Sequence, residues 1–110
     1  MFNCQELATA MRFDIGVVAV VFNNNALGNV RRTQRETFGG RLIASDLNNP
    51  DFRTFAGSFG MPYWAADSAL SLEPVLRSAI STGRPAFIEV AVEESFPNPF
   101  PHMFFRKVRG

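Results

Sequence analysis

Among its 110 residues the chain has one cysteine, Cys4, and one histidine, His102. A single cysteine excludes an intrachain disulfide and any metal site built from several thiolates. A single histidine excludes a metal site built on a histidine pair. An excess of one charge is missing too: eleven Lys and Arg against ten Asp and Glu leave a formal +1. That balance draws the chain neither to nucleic acid nor to an anionic membrane. Long apolar runs are also absent. The longest covers residues 15–22 and includes Gly16, whereas a membrane-spanning helix needs about 18 residues. No basic segment leads into an apolar stretch at the N-terminus, so no signal peptide is expected and the expected setting is cytoplasmic. No Gly-rich loop of the dinucleotide or P-loop kind occurs, which argues against a nucleotide-binding α/β module.

What is present fits one small domain. A chain of this length hides roughly 65% of the surface its unfolded form exposes, enough for a single core. Leu7, Ala8, Ala10 and Met11 recur at helical spacing and predict a helix over 5–12, with Asn3 as its cap. Residues 17–22 are continuously apolar and rich in β-branched side chains, the pattern of a strand covered on both faces within a parallel sheet. Beyond Gly28 the polar, Arg-rich stretch 29–37 reads as a short helix or ordered loop ended by Gly39 and Gly40. Asn49, Pro50 and Asp51 read as a helix start, with a capping Asn, Pro at the first helical position and an acid in the first turn. Phe52, Phe55, Ala56 and Phe59 supply its apolar stripe, and Gly60 closes it.

A short strand is expected over 61–65, and then a helix that opens at Asp67 or Ser68 and runs toward Ile80. Pro74 sits badly inside that helix, where an interior proline costs about 3 kcal/mol. It fits better if the helix begins near Ser71. Residues 86–92 form the last strand. Apolar strands alternating with helices predict an α/β fold, a partial three-layer αβα sandwich around a narrow, mostly parallel sheet. Residues 1–92 make up this domain, and 93–110 a Pro- and Phe-rich tail. The tail either lies extended over its own domain or a partner subunit, or closes over a ligand site.

The most informative feature is Asn23-Asn24-Asn25 at the carboxyl end of the buried strand. Ligands of open parallel sheets gather beyond the carboxyl ends of the strands. Amide oxygens and freed carbonyls at that point are hard donors suited to Mg²⁺ holding a phosphorylated ligand. The same run also serves as a plain turn, because Asn tolerates left-handed backbone and bonds its own main chain.

Residues 5–10 (QELATA) and 20–31 (VVFNNNALGNVR) resemble the thiamine-diphosphate-binding domain of the acetolactate synthase-like enzymes. It is the C-terminal domain of a larger group that includes benzoylformate and pyruvate decarboxylases. The blocks 40–47, 49–52, 58–60 and 85–90 follow that domain in order. The resemblance implies a fragment of a thiamine-diphosphate-binding fold that uses thiamine diphosphate and Mg²⁺ on 2-keto acids, by decarboxylation and carboligation. It implies Asn24 as a side-chain metal ligand, Ala26 as a backbone carbonyl ligand, Gly28 as a point of close approach to the cofactor, and Leu27 and Asn29 near the thiazolium or substrate. It also implies a homo-oligomer, a dimer or tetramer, for the intact enzyme.

The family's Gly-Asp-Gly turn, which supplies a further metal ligand, would fall upstream of Met1, and the glutamate that activates the cofactor belongs to a separate N-terminal domain. Neither is in this sequence. The chain is therefore expected to be truncated at its N-terminus, to contain no catalytic residue of its own, and to bind the cofactor weakly. Glu6 and Glu36 do not match the activating glutamate by motif. The alternative is a non-catalytic remnant or stand-alone domain that acts through subunit pairing. Cys4, Tyr63 and Trp64 read as packing or subunit-contact residues, and Arg31, Arg32 and Arg35 as a cluster that meets solvent or nearby acids.

Overall fold

Seven elements follow one another in the order the sequence implies: α1 Glu6–Arg12, β1 Val18–Asn23, α2 Gly28–Thr37, α3 Phe52–Ser58, β2 Tyr63–Ala66, α4 Ala69–Ser81 and β3 Ala86–Ala91. They belong to residues 3–93, the part of the chain that the computed structural model describes. The Pro- and Phe-rich tail beyond Glu93, and His102 with it, lie outside the described residues.

The strands form one parallel sheet in the order β1-β3-β2. The last strand in sequence is thus the middle one in space. Its register sets Phe87 between Ala19 and Tyr63, and Ile88 between Val20 and Trp64. Successive strand side chains point to opposite faces, and each face has its own core. Ala86, Ile88 and Val90 join Ala66 and Ala79 on the α4 side, with Val18, Trp64, Leu72, Val75 and Leu76 packed against them. Phe87 points the other way and joins Phe52, Ala56 and Met61, ringed by Leu7 and Met11 of α1 and Phe55 and Phe59. Helices on both faces give the three-layer αβα arrangement.

The continuous apolar run of β1 predicts a strand covered on both faces, but the strand so covered is β3. Phe87 and Ile88 are 2% and 0% exposed, and removing one such side chain from water contributes about 1.5–3 kcal/mol. On β1, by contrast, Val20 is 37% and Phe22 63% exposed. The reason is geometric: among the described residues β1 is an edge strand, α4 packs over β2 and β3, and on the α4 side Val18 alone of the β1 residues joins the core.

Helix starts also differ in detail from the sequence expectation. Asn3 does not cap α1; its backbone is left-handed, φ 64°, and Gln5 takes the N-cap place without a side-chain bond. The cap of α3 is Asp51 rather than Asn49, with its Oδ1 accepting the Thr54 N–H at 2.6 Å. That bond holds the Asp51 carboxyl below its ordinary value. Ser68 caps α4 in a capping box closed by Ser71. Pro74 is therefore the sixth helical residue, outside the first turn. The carbonyl it fails to engage belongs to Leu70, a residue 90% exposed to solvent. The strand 61–65 begins later than expected, at Tyr63, and Met61 is a buried core residue.

Candidate functional site

β1 ends at the carboxyl edge of the sheet, and the chain there makes three tight local decisions. Asn23 Oδ1 accepts the Asn25 N–H at 3.1 Å, and Asn24 Oδ1 accepts the Ala26 N–H at 3.2 Å. Asn25 turns the backbone with φ 52°, a conformation that asparagine tolerates better than most residues. Ala26 then pairs with Asp46 as an isolated antiparallel bridge, flanked by Leu27 N–H to Ser45 O (2.8 Å) and Leu47 N–H to Asn25 O (2.9 Å). Because the flanking residues make those bonds, Ala26 is the non-bonded member of the ladder and its own N–H and carbonyl point away from Asp46. Its N–H meets Asn24 Oδ1, which puts the Asn24 amide oxygen and the Ala26 carbonyl on one side of the loop.

Segment 43–47 is itself held against α2. The Gln34 side chain donates to Ile43 O at 2.8 Å and accepts from Ile43 N at 3.3 Å, and Arg31 pairs with Asp46. α2 starts at Gly28 directly after the loop, with Leu27 at its N-cap and no side-chain cap. The first N–H groups of an α-helix have no partner within the helix, so this end offers donors and a positive dipole end to an anion. A Cβ on Gly28 would stand 3.0 Å from Asn24 Nδ2. Glycine at this position lets the Asn24 amide lie against the helix start.

The loop borders a cavity of about 410 Å³ on the α1 and α3 side of the sheet, lined by Asn23, Asn24 and Ala26, by Asn3, Cys4 and Leu7, and by Leu47, Asn49, Phe52, Phe55 and Phe87. Of the five residues that the resemblance implies for cofactor and metal, Asn24 and Ala26 line this cavity. Leu27 is exposed at the helix cap, Gly28 opens α2, and the Asn29 Oδ1 accepts from Arg32 at 3.4 Å. Cys4 is half-buried on the cavity wall.

A cross-strand polar group behind the loop was not legible as a site. Glu89 of β3 accepts the Asn23 Nδ2–H at 2.8 Å through Oε1 and the Tyr63 hydroxyl at 2.7 Å through Oε2. Asn49 Nδ2 donates to Asn23 Oδ1 at 2.9 Å. Burial, then the hydrogen bond and charge of Glu89, push the Tyr63 hydroxyl up to about 12. The Arg53 guanidinium lies 4.7 Å from the centre of the Tyr63 ring and acts in the opposite sense. The available signal was Glu89 itself, a lone charge within the apolar run 86–92.

The donor chemistry of the loop fits a magnesium diphosphate group. An amide oxygen has two lone pairs, so Asn24 Oδ1 keeps one after accepting from Ala26. The Ala26 carbonyl adds a second oxygen, and Mg²⁺ takes oxygen ligands. Among the described residues no cluster of three or more His, Cys, Asp or Glu is arranged to hold a metal. No helix among those residues is long and apolar enough to cross a membrane.

Comparison with known proteins agrees with this reading of the fold. Residues 1–90 match the family described as thiamine pyrophosphate enzyme, C-terminal TPP binding domain. The chain is 33% identical over 110 residues to the acetolactate synthase large subunit of Haemophilus influenzae, covering 98% of this chain and 18% of that protein. It is 32% identical over 96 residues to a probable acetolactate synthase large subunit of Methanococcus aeolicus, covering 86% of this chain and 16% of the relative. The fold superposes on benzoylformate decarboxylase from Polynucleobacter necessarius with a TM-score of 0.77 at 18% identity, covering 88% of this chain and 18% of that one. The chain thus spans less than a fifth of the length of these relatives. It belongs to the C-terminal thiamine-pyrophosphate-binding domain family of thiamine pyrophosphate enzymes.

Proposed function

We propose that this chain is the part of a thiamine-diphosphate- and Mg²⁺-dependent enzyme that holds the metal and the cofactor's diphosphate, in an enzyme that decarboxylates or ligates 2-keto acids. The observation that carries the proposal is the loop after β1. It turns two oxygen donors to one side, Asn24 Oδ1 and the Ala26 carbonyl, and runs straight into the uncapped start of α2. Asn24 and Ala26 would hold Mg²⁺. The backbone N–H groups of Gly28 and Asn29 would bind diphosphate oxygens, and Leu27 would lie beside the thiazolium. When bound, the cofactor supplies the electron sink for the keto-acid carbanion. This chain's own residues bind and orient, and none takes a catalytic role.

Subunit pairing accompanies this reading. Among the described residues β1 has a free edge with Val20 and Phe22 exposed beside it, and an uncovered apolar edge strand favours a covering partner. A homo-oligomer of the intact enzyme fits that need.

The test is a titration of the ¹⁵N-labelled chain with thiamine diphosphate, with and without Mg²⁺. The backbone signals of Asn24, Ala26, Gly28 and Asn29 are expected to move together only when both are present, with weak affinity and no turnover of pyruvate. Shifts centred away from the loop, or no shifts at millimolar cofactor, would contradict the proposal.

A further inference from the structure

We infer that Glu89 is a positioning residue for the metal-binding loop, acting through Asn23; the inference rests on the site proposed above. Asn23 ends β1 beside Asn24. Its amide oxygen is saturated by the protein: Oδ1 accepts the Asn25 N–H at 3.1 Å and the Asn49 Nδ2–H at 2.9 Å, while Nδ2 donates to Glu89 Oε1 at 2.8 Å. An amide that makes these bonds has no oxygen to turn toward a metal, so of the adjacent pair Asn24 alone is left to do so. Glu89 decides which way the Asn23 amide faces. A carboxylate accepts and does not donate, so it takes the NH₂ end and directs the oxygen to the Asn25 N–H. That bond closes the turn on which Asn24 and Ala26 ride.

Glu89 is well placed for this work. It stands on the central strand, where Ile88 and Val90 on either side of it are buried, and its second oxygen is fixed by the Tyr63 hydroxyl at 2.7 Å. Its direct neighbours in register are Val21 and Ala65, so both of its bonds run diagonally to the next residue on the same face. The small side chain of Ala65 leaves the path to Tyr63 open. The carboxylate thereby links all three strands to the loop. A partner bonded directly to a metal ligand typically changes metal affinity by about 10–100-fold when lost; Glu89 acts one step further out, through Asn23, so the lower end of that range is its ceiling.

The experiment compares Glu89→Gln, Asn23→Asp and the double variant, with Tyr63→Phe as a second probe of the same face. Two readouts are taken by NMR: solvent exchange of the Asn23 side-chain amide and the signals of residues 24–29 without ligand, and the apparent dissociation constant for thiamine diphosphate with Mg²⁺. In the unliganded wild type the Asn23 amide is expected to be protected. Glu89→Gln weakens the acceptor and lets the 89 amide turn either way, so it is expected to reduce that protection, shift residues 24–29 and weaken cofactor binding by up to about tenfold, while the core signals of Phe87 and Ile88 stay in place.

Asn23→Asp alone sets two carboxylates together and is expected to be worse than Glu89→Gln. The double variant restores a donor-acceptor pair of reversed polarity and is expected to recover the ligand-free signals of residues 24–29 and the affinity for the cofactor, a coupling that a merely destabilised face does not give. Tyr63→Phe keeps the Glu89–Asn23 bond and should leave residues 24–29 nearly unmoved. Unchanged exchange and loop signals in Glu89→Gln, or a folded double variant no better than Asn23→Asp, would overturn the inference. A wild type that ignores the cofactor sinks the proposed site instead, and the ligand-free readout still decides what Glu89 does.

Discussion

Tyr63 and Glu89 lie on adjacent parallel strands but not opposite each other. Tyr63 pairs with Phe87 in the register, and its hydroxyl reaches one same-face residue further along β3 to donate to Glu89 Oε2 at 2.7 Å. The ring meanwhile stacks on Phe87 with centroids 6.4 Å apart. One side chain thus joins the aromatic core to the polar group behind the loop.

Tyr63 is the only tyrosine in the sequence, so tyrosinate absorbance reports it alone. Its ionisation should have a midpoint near pH 12, raised by burial first and by Glu89 second. The sign follows from linkage. The unfolded tyrosine loses its proton near pH 10 and the folded one near 12, so in that interval the folded state binds more protons and stability falls as pH rises. Below pH 10 the contribution is fully present. Glu89→Gln removes the charge and should lower the midpoint part of the way, because burial, the larger cause, remains. A midpoint near 10 in the wild type would contradict the buried hydrogen-bonded geometry.

Helix α4 offers two opposite changes of stability. Ser68→Ala removes the oxygen that accepts the Ser71 N–H and opens the capping box, and should cost about 1 kcal/mol. Pro74→Ala should stabilise. It returns the helical N–H that proline lacks, worth about 3 kcal/mol, against at most about 1 kcal/mol of lost chain restriction, for a net gain of about 2 kcal/mol. Denaturant midpoints measured for both variants check the pair, and a lowered midpoint for Pro74→Ala would show the ring to be a packing element.

Phe87 is in contact with Phe52, Phe55 and Tyr63 at centroid distances of 5.8, 5.9 and 6.4 Å. Phe87→Ala should cost about 3–5 kcal/mol, a large share of the stability of a domain this size. Gly16→Ala should also destabilise, because its Cβ would meet the Gly83 carbonyl oxygen at 2.7 Å and both partners are backbone. Leu70→Ala, at an exposed position, should stay within about 0.5 kcal/mol. Chemical denaturation ranks the three.

Gly28→Ala separates binding from folding. The new methyl would press on Asn24 Nδ2 at 3.0 Å, a side chain able to swing away. Stability should change little, while Mg²⁺-dependent cofactor binding should weaken about tenfold or more through the displaced ligand. Thermal melts and a cofactor titration on the same sample show whether the two quantities part in this way.

The element order was legible because each element is punctuated locally: β1 by the Asn run, α3 by Asp51 and Gly60, α4 by Ser68 and Gly83. The Asn run could be placed at a strand's carboxyl end for the same local reason, whereas Ala26 was singled out only through the family resemblance. What escaped was the insertion of β3 between β1 and β2. Sequence neighbours usually become spatial neighbours, and the continuous apolar run of 17–22 suggested a central strand where the fold has an edge. The Glu89 group depends on that insertion. Asn23 and Glu89 are 66 residues apart, Tyr63 and Glu89 26, and no local pattern announces such pairs. The cap of α3 was missed on a smaller scale, since Asn49 and Asp51 are both capping residues and only the bond to Thr54 chooses between them.

The central claim is that Asn24 and Ala26 hold the divalent metal. Mn²⁺ added with thiamine diphosphate in place of Mg²⁺ tests it most directly, because a paramagnetic ion broadens the NMR signals of nuclei near it. The account predicts that Asn24 and Ala26 broaden first, then Gly28 and Asn29, and that Asn24→Ala abolishes the effect while the fold persists. Broadening centred on the carboxylates of Asp46, Asp51 or Asp67, unchanged by Asn24→Ala, would contradict it.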